Sequence, residues 1–167
     1  KQLTFELCHL PRPAIKQANG TICVAAETPE AAQELWFAAG SLTVVWFNSL
    51  QRLKATGVQE SIYYRPTYET LRSGDAFLLI GNVLHIFQVT VSPNHPVIGQ
   101  GIVDIIELFS EIPELETRLV FLVPSGVSEG YRRQSYHVAG EKRVLRWGQQ
   151  QHKLRRVKQY VAGIYYG

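Results

Sequence analysis

Apolar and polar positions alternate from Leu3 to Leu10 and the run stops at Pro11-Arg12-Pro13, which predicts a strand followed by an extended turn. Asn19-Gly20 predicts a hairpin turn into a second strand, Thr21 to Ala26. A helix is expected next. Thr28 suits its N-cap, Pro29 its first position and Glu30 its first turn, and Gly40 suits the place just past its end at Ala39. Leu42 to Phe47 is apolar and β-branched, the pattern of a buried strand, and Leu50 to Thr56 predicts a short helix.

Two apolar runs, Ala76–Ile80 and Val83–Val91, flank Gly81-Asn82, a dipeptide suited to a tight hairpin. After Pro96 the period changes. Val97, Ile102, Ile105, Ile106 and Phe109 line one face of a helix, with Asp104 and Glu107 outward. A loop around Pro113 leads to a strand, Arg118 to Val123, closed by Pro124-Ser125-Gly126. Tyr131–Val138 and Val144–Trp147 predict edge strands on either side of Gly140, whereas Lys153 to Ile164 fits helix and strand equally well. The order predicts an α/β fold: a central mixed sheet with a hairpin core flanked by helices. Residues 1–40 are expected as an N-terminal extension packed on the same domain, and residues 41–167 as the main globular unit, with Trp36, Trp46 and Phe47 in the core.

The 167 residues suffice for one well-buried core and are few for two. With 46% hydrophobic and 19% charged residues, the composition excludes a disordered chain. The longest apolar runs fall far short of a membrane span, and no charged-then-apolar leader opens the chain. Methionine is absent, which suggests an excised domain. Cys8 and Cys23 read as buried thiols of a reducing compartment, with a disulfide as the alternative, and His85, His95, His137 and His152 lack zinc-type spacing.

Charge changes the picture more. The net charge is only +3, but between Tyr131 and Lys158 nine bases face one acid, Glu141, so the rest of the chain is net acidic. Such asymmetry suggests a surface for a polyanion. Arg132, Arg133, Arg143, Arg146, Lys153, Arg155, Arg156 and Lys158 are the candidates for phosphate contacts. Tyr131, Tyr136, Trp147 and Tyr160 interleave them and could stack on bases. The plainer alternatives are a solvated basic face and aromatics that simply fill the core.

The chemistry concentrates at the hairpin. Asp75 heads the first run, and Gln88 and Thr90, two apart, leave one face of the second. Carboxylate and amide oxygens are ligands that Mg²⁺ accepts, so Asp75 and Gln88 are the candidate metal pair. His95 is a candidate general base or merely starts the next helix, and Gln100 could lean over the sheet end.

These residues resemble the core of the PD-(D/E)xK nuclease superfamily, in which an Asp opens one strand and a Glu/Gln-x-Lys triplet follows on the next. Phe87-Gln88-Val89-Thr90-Val91-Ser92, His95-Pro96-Val97 and Gly101-Ile102 look like the C-terminal restriction-endonuclease-like domain of Crinkler and retrotransposon-hot-spot type proteins. Tyr63-Tyr64-Arg65-Pro66, Arg118 to Pro124, and Val157-Lys158-Gln159-Tyr160-Val161 agree with it, so that the resemblance spans roughly residues 40–165. It implies an intracellular, nuclear domain that binds nucleic acid, DNA ahead of RNA, and hydrolyses phosphodiesters with Mg²⁺. In that reading Asp75, Gln88, Thr90 and His95 are catalytic, and Glu34 would match the superfamily's helix-borne metal carboxylate or be an ordinary surface glutamate. The chain departs from the pattern in carrying Thr90 where many members have Lys and Gln88 in place of the acid; neither brings charge to an attacking water. The alternative is a non-catalytic module that binds nucleic acid or a protein partner.

Overall fold

The turn at Gly81-Asn82 forms, with Gly81 at φ 57°, a left-handed value that glycine adopts without strain. It joins two strands in a computed structural model that describes residues 2–13, 15–16, 22–24, 26–38, 42–67, 71, 73–140 and 152–164. The elements in chain order are β1 (Gln2–His9), β2 (Ile15–Lys16), β3 (Ile22–Val24), β4 (Gln33–Ala38), β5 (Thr43–Phe47), α1 (Leu50–Thr56), β6 (Ile62–Pro66), β7 (Ala76–Ile80), β8 (Val83–Val89), β9 (Val97–Ile98), α2 (Gly99–Glu107), β10 (Glu116–Pro124), α3 (Ser125–Ser128), β11 (Tyr136–His137), α4 (His152–Arg155) and β12 (Lys158–Ile164). The fold is α/β, dominated by one mixed eight-stranded sheet in the order β4-β1-β12-β10-β8-β7-β6-β5. Strands β8, β10 and β12 run parallel, β6, β7 and β8 form an antiparallel meander, and two small pairs, β9/β11 and β2/β3, stand apart.

The sheet curls. Strands β4 and β5 lie at its two edges, yet only residues 39–42 join them. That link reaches about 17 Å at roughly 3.4 Å per residue, whereas seven strand-to-strand steps in a flat sheet would span about 34 Å. One face therefore closes on itself: Leu7 of β1 and Leu35 of β4 share a cluster with Ala76, Leu78, Phe87, Val120, Tyr160 and Ala162. The other face is covered by helices. Leu53 of α1, Ile102 and Ile105 of α2, and Leu154 of α4 pack on Phe77, Leu84, Ile86, Leu119 and Phe121. Strands buried on both sides explain why β7, β8 and β10 read as continuous apolar runs.

Several expectations are corrected. The helix expected over 28–39 is not found at residues 28–38: Gln33–Ala38 forms β4, paired antiparallel with β1 from Leu7↔Gln33 to Gln2↔Ala38. The local capping signals lose to the pairing that β1 offers and to burial of Leu35. The expected buried strand at 42–47 is an edge strand in which Val44 and Trp46 are 48% and 56% exposed, and Arg65 lies 4.9 Å over the Trp46 ring. Cys8 is exposed, not buried. The strand expected over Tyr131–Val138 shrinks to β11, and the ambiguous C-terminal stretch is both things in turn, one helical turn and then β12. Asn19-Gly20, Val144–Trp147, Arg143 and Arg146 lie outside the described residues, as do the side chains of Cys23 and Trp36.

Residues 1–40 supply two strands of the main sheet, and a polar network ties them in. Lys158 pairs with Glu30 at 2.7 Å, Tyr160 Oη donates to Glu30 at 2.5 Å, and Gln33 accepts from Arg118 at 2.6 Å. The Lys158 and Tyr160 hydrogen bonds hold the Glu30 carboxyl below its usual range. Glu27 accepts from the Arg12 backbone N–H at 2.7 Å and from Arg133 at 3.0 Å.

Candidate functional site

Continuing the register one step past Ala76↔Phe87 brings Asp75 opposite Gln88, at the carboxyl end of β8 on the helix-covered side. Gly74 makes the approach possible. Its φ is 93°, and a Cβ there would sit 2.8 Å from Ile86 Cγ2 and 3.2 Å from Ile105 Cδ1. From this position the Gly74 N–H donates to Gln88 Oε1 at 2.9 Å, and Gln88 Nε2 donates to Asp75 Oδ2 at 2.8 Å. The amide orientation follows from chemistry: a backbone N–H can only donate and an ionised carboxylate can only accept. The Val89 N–H donates to the same Asp75 oxygen at 2.6 Å. Thr90 is buried; its Oγ1 accepts the Ser92 N–H at 3.1 Å, and its own N–H donates to the carbonyl of Leu122 at 3.1 Å.

Asp75, Gln88 and Thr90 are thus brought to one end of the sheet, while the other candidates are not. His95 shares no hydrogen bond with them among the described residues; its backbone N–H donates to Gln134 Oε1 at 2.8 Å and it lines a separate cleft. Gln100 donates to Asp104 on its own helix, 2.8 Å away. Glu34 stands on the edge strand β4, opposite Glu6 and four strands from β8, so it brings no carboxylate to Asp75. Among the described residues no group of three His, Cys, Asp or Glu side chains could hold a metal ion.

The basic segment divides. Arg133 donates to Glu27 and to the carbonyls of Leu10 and Val157, Lys153 pairs with Glu107, and Lys158 pairs with Glu30 and, at 3.5 Å, Glu116. These three cations are engaged by carboxylates of the fold itself. Arg132 and Arg156 are exposed and have no carboxylate partner among the described residues, and Arg155 is half-buried on α4. Tyr131, Tyr136 and Tyr160 are core residues, and burial pushes the Tyr131 hydroxyl up to about 12.

Two glutamines escaped sequence reasoning. Gln159, fully buried in β12, accepts the Gln134 N–H at 2.8 Å and donates to the Gln134 carbonyl at 3.0 Å. Gln134 in turn donates to the carbonyls of Pro93 at 3.2 Å and Arg132 at 2.6 Å. The signal was present: Val157, Gln159 and Val161 share one strand face, so an amide sits at a core position and must be satisfied there. This ladder fixes both walls of a cleft of about 400 Å³ between residues 94–96 and 132–137.

No helix among the described residues is long and apolar enough to cross a membrane. No family model, curated protein or solved structure matches the chain.

Proposed function

We propose that the chain is a nucleic-acid-binding domain of the restriction-endonuclease-like, Crinkler type whose metal site is closed by hydrogen bonding, so that it holds a strand without cutting it. The orientation of the Gln88 amide carries the reading. Its nitrogen faces Asp75 and its oxygen is engaged by Gly74, so it offers the carboxylate a donor and not a second oxygen. Mg²⁺ takes oxygen ligands in near-octahedral array. The residues here do not suit it: among the described residues Asp75 belongs to no group of three metal-ligating side chains, one of its oxygens already accepts two N–H groups, and Thr90 Oγ1 accepts the Ser92 N–H.

Binding is supported by the exposed Arg132 and Arg156 and by the basic balance of the C-terminal segment. DNA ahead of RNA, and a nuclear location, belong to this reading through the resemblance; imaging a tagged chain tests the location.

A second reading, Mg²⁺-dependent phosphodiester cleavage, draws on Asp75 itself. It is exposed, and its Oδ1 has no hydrogen-bond partner among the described residues. A third, a protein-interaction module, draws on the exposed apolar edge strand β5.

Incubating the purified chain with labelled DNA and RNA in millimolar Mg²⁺ or Mn²⁺ separates the first two readings. Binding is expected without cutting, and Asp75→Asn should bind as well as wild type or better, because a negative charge near phosphate is gone. Metal-dependent turnover that EDTA and Asp75→Asn both abolish would establish the enzyme instead.

A further inference from the structure

The cleft between residues 94–96 and 132–137 has a lining that points to one chemistry. His95, Arg132 and His137 line it, and none of the three has a carboxylate or other side-chain partner for its own side chain among the described residues. No carboxylate lines it among the described residues either. Arg133 also borders the cleft, but its guanidinium is spent on Glu27, Leu10 and Val157. The remaining polar surface comes from Asn94 and Ser135.

The walls are held in place from behind. Gln134 is buried, with its Oε1 on the His95 N–H and its Nε2 on two carbonyls, and Gln159 anchors its main chain. Both amides of that ladder have their oxygen and their nitrogen engaged, which makes the buried pair rigid. Parallel pairing of β9 with β11, Tyr136↔Val97 and His137↔Ile98, ties the two walls a second time. A guanidinium with paired donors and two imidazoles, each with at least one N–H, are the groups that recognise a tetrahedral oxyanion.

We propose that this cleft is a phosphate-binding site, in which Arg132, His95 and His137 donate to the oxygens of one phosphate group. A backbone phosphodiester and a free phosphate or phosphomonoester share that chemistry. The backbone source rests on the nucleic-acid reading above; the site itself does not.

Following the His95 and His137 ring resonances while inorganic phosphate is added tests the site directly, with chloride at matched ionic strength as the comparison. Both rings should shift saturably with phosphate and not with chloride. Arg132→Ala, at an exposed position that leaves the fold intact, should weaken phosphate binding roughly tenfold, as loss of a charge-assisted hydrogen bond does. Arg52→Ala, an exposed base on α1 that lines a different hollow, should leave it unchanged. Absence of a saturable shift, or equal binding by wild type and Arg132→Ala, overturns the proposal. A short oligonucleotide that displaces phosphate identifies the backbone as the source. Phosphate binding that oligonucleotides leave untouched keeps the site, assigns it to free phosphate groups and removes the backbone as its source.

Discussion

Arg133 meets Glu27 at 3.0 Å across 106 residues of sequence, and with that contact a base expected to face solvent becomes a bolt between the N-terminal segment and the sheet. The two side chains are 11% and 17% exposed, so removing either leaves the other largely buried without its partner. Arg133→Ala should therefore cost about 2–3 kcal/mol in urea unfolding. Its neighbour Arg132 is exposed, and Arg132→Ala should stay within about 0.5 kcal/mol while reducing nucleic-acid affinity and flattening its salt dependence. Equal stability losses for the two variants would mean that the Arg133 contact does not hold the segment.

Replacing Gln88 by Glu turns a donor facing Asp75 into a second carboxylate. In the presence of chelator, Gln88→Glu should lower stability by about 1–3 kcal/mol, because the Gly74 N–H keeps an acceptor but the acid pair repels. Millimolar Mg²⁺ or Mn²⁺ should recover much of the loss by joining the two acids, read as a metal-dependent rise in Tm that wild type lacks. An unchanged Tm in chelator would show that the amide does not donate to Asp75.

Gly74 is the backbone hinge of the same pair. Gly74→Ala should destabilise by about 2–4 kcal/mol, from a left-handed φ and from the clash of the new Cβ with Ile86 and Ile105. Gly57, also at positive φ but with nothing within 4 Å of its notional Cβ, should show the conformational part alone. Comparing denaturation midpoints of Gly74→Ala and Gly57→Ala separates the two terms, and equal losses would remove the packing argument.

His85 governs the acid limb. It is 3% exposed and stacked on Phe87 at 6.3 Å; burial, followed by the neighbouring Arg118, pushes its pKa from 6.5 down to about 4. Between those values the unfolded chain binds the proton and the folded one does not, so stability falls as pH drops from 6.5 towards 4, by up to about 3 kcal/mol. His85→Leu should flatten that window. Glu30, whose carboxyl is held low by Lys158, adds a further loss below the ordinary carboxylate range in both proteins. Identical pH profiles for wild type and His85→Leu between pH 4 and 6.5 would exclude this role for His85.

Local patterns in the sequence determined the Gly81-Asn82 hairpin, the apolar face of α2, strand β10, and the placing of Asp75 opposite Gln88. Each depends on a period or a turn within some fifteen residues, and backbone geometry turns such patterns directly into shape. Tertiary structure decided the rest. The capped segment at 28–39 became strand β4 because pairing with β1 and burial of Leu35 outweigh capping signals that are individually small. Trp46 is exposed because the sheet ends at β5, a property of strand order that no local window carries. Net charge counted nine bases in one segment, but only the fold brought Glu27, Glu30, Glu107 and Glu116 against three of them. The sequence put an amide beside the carboxylate, and Gly74, by reaching the amide oxygen first, decided that its nitrogen would face Asp75.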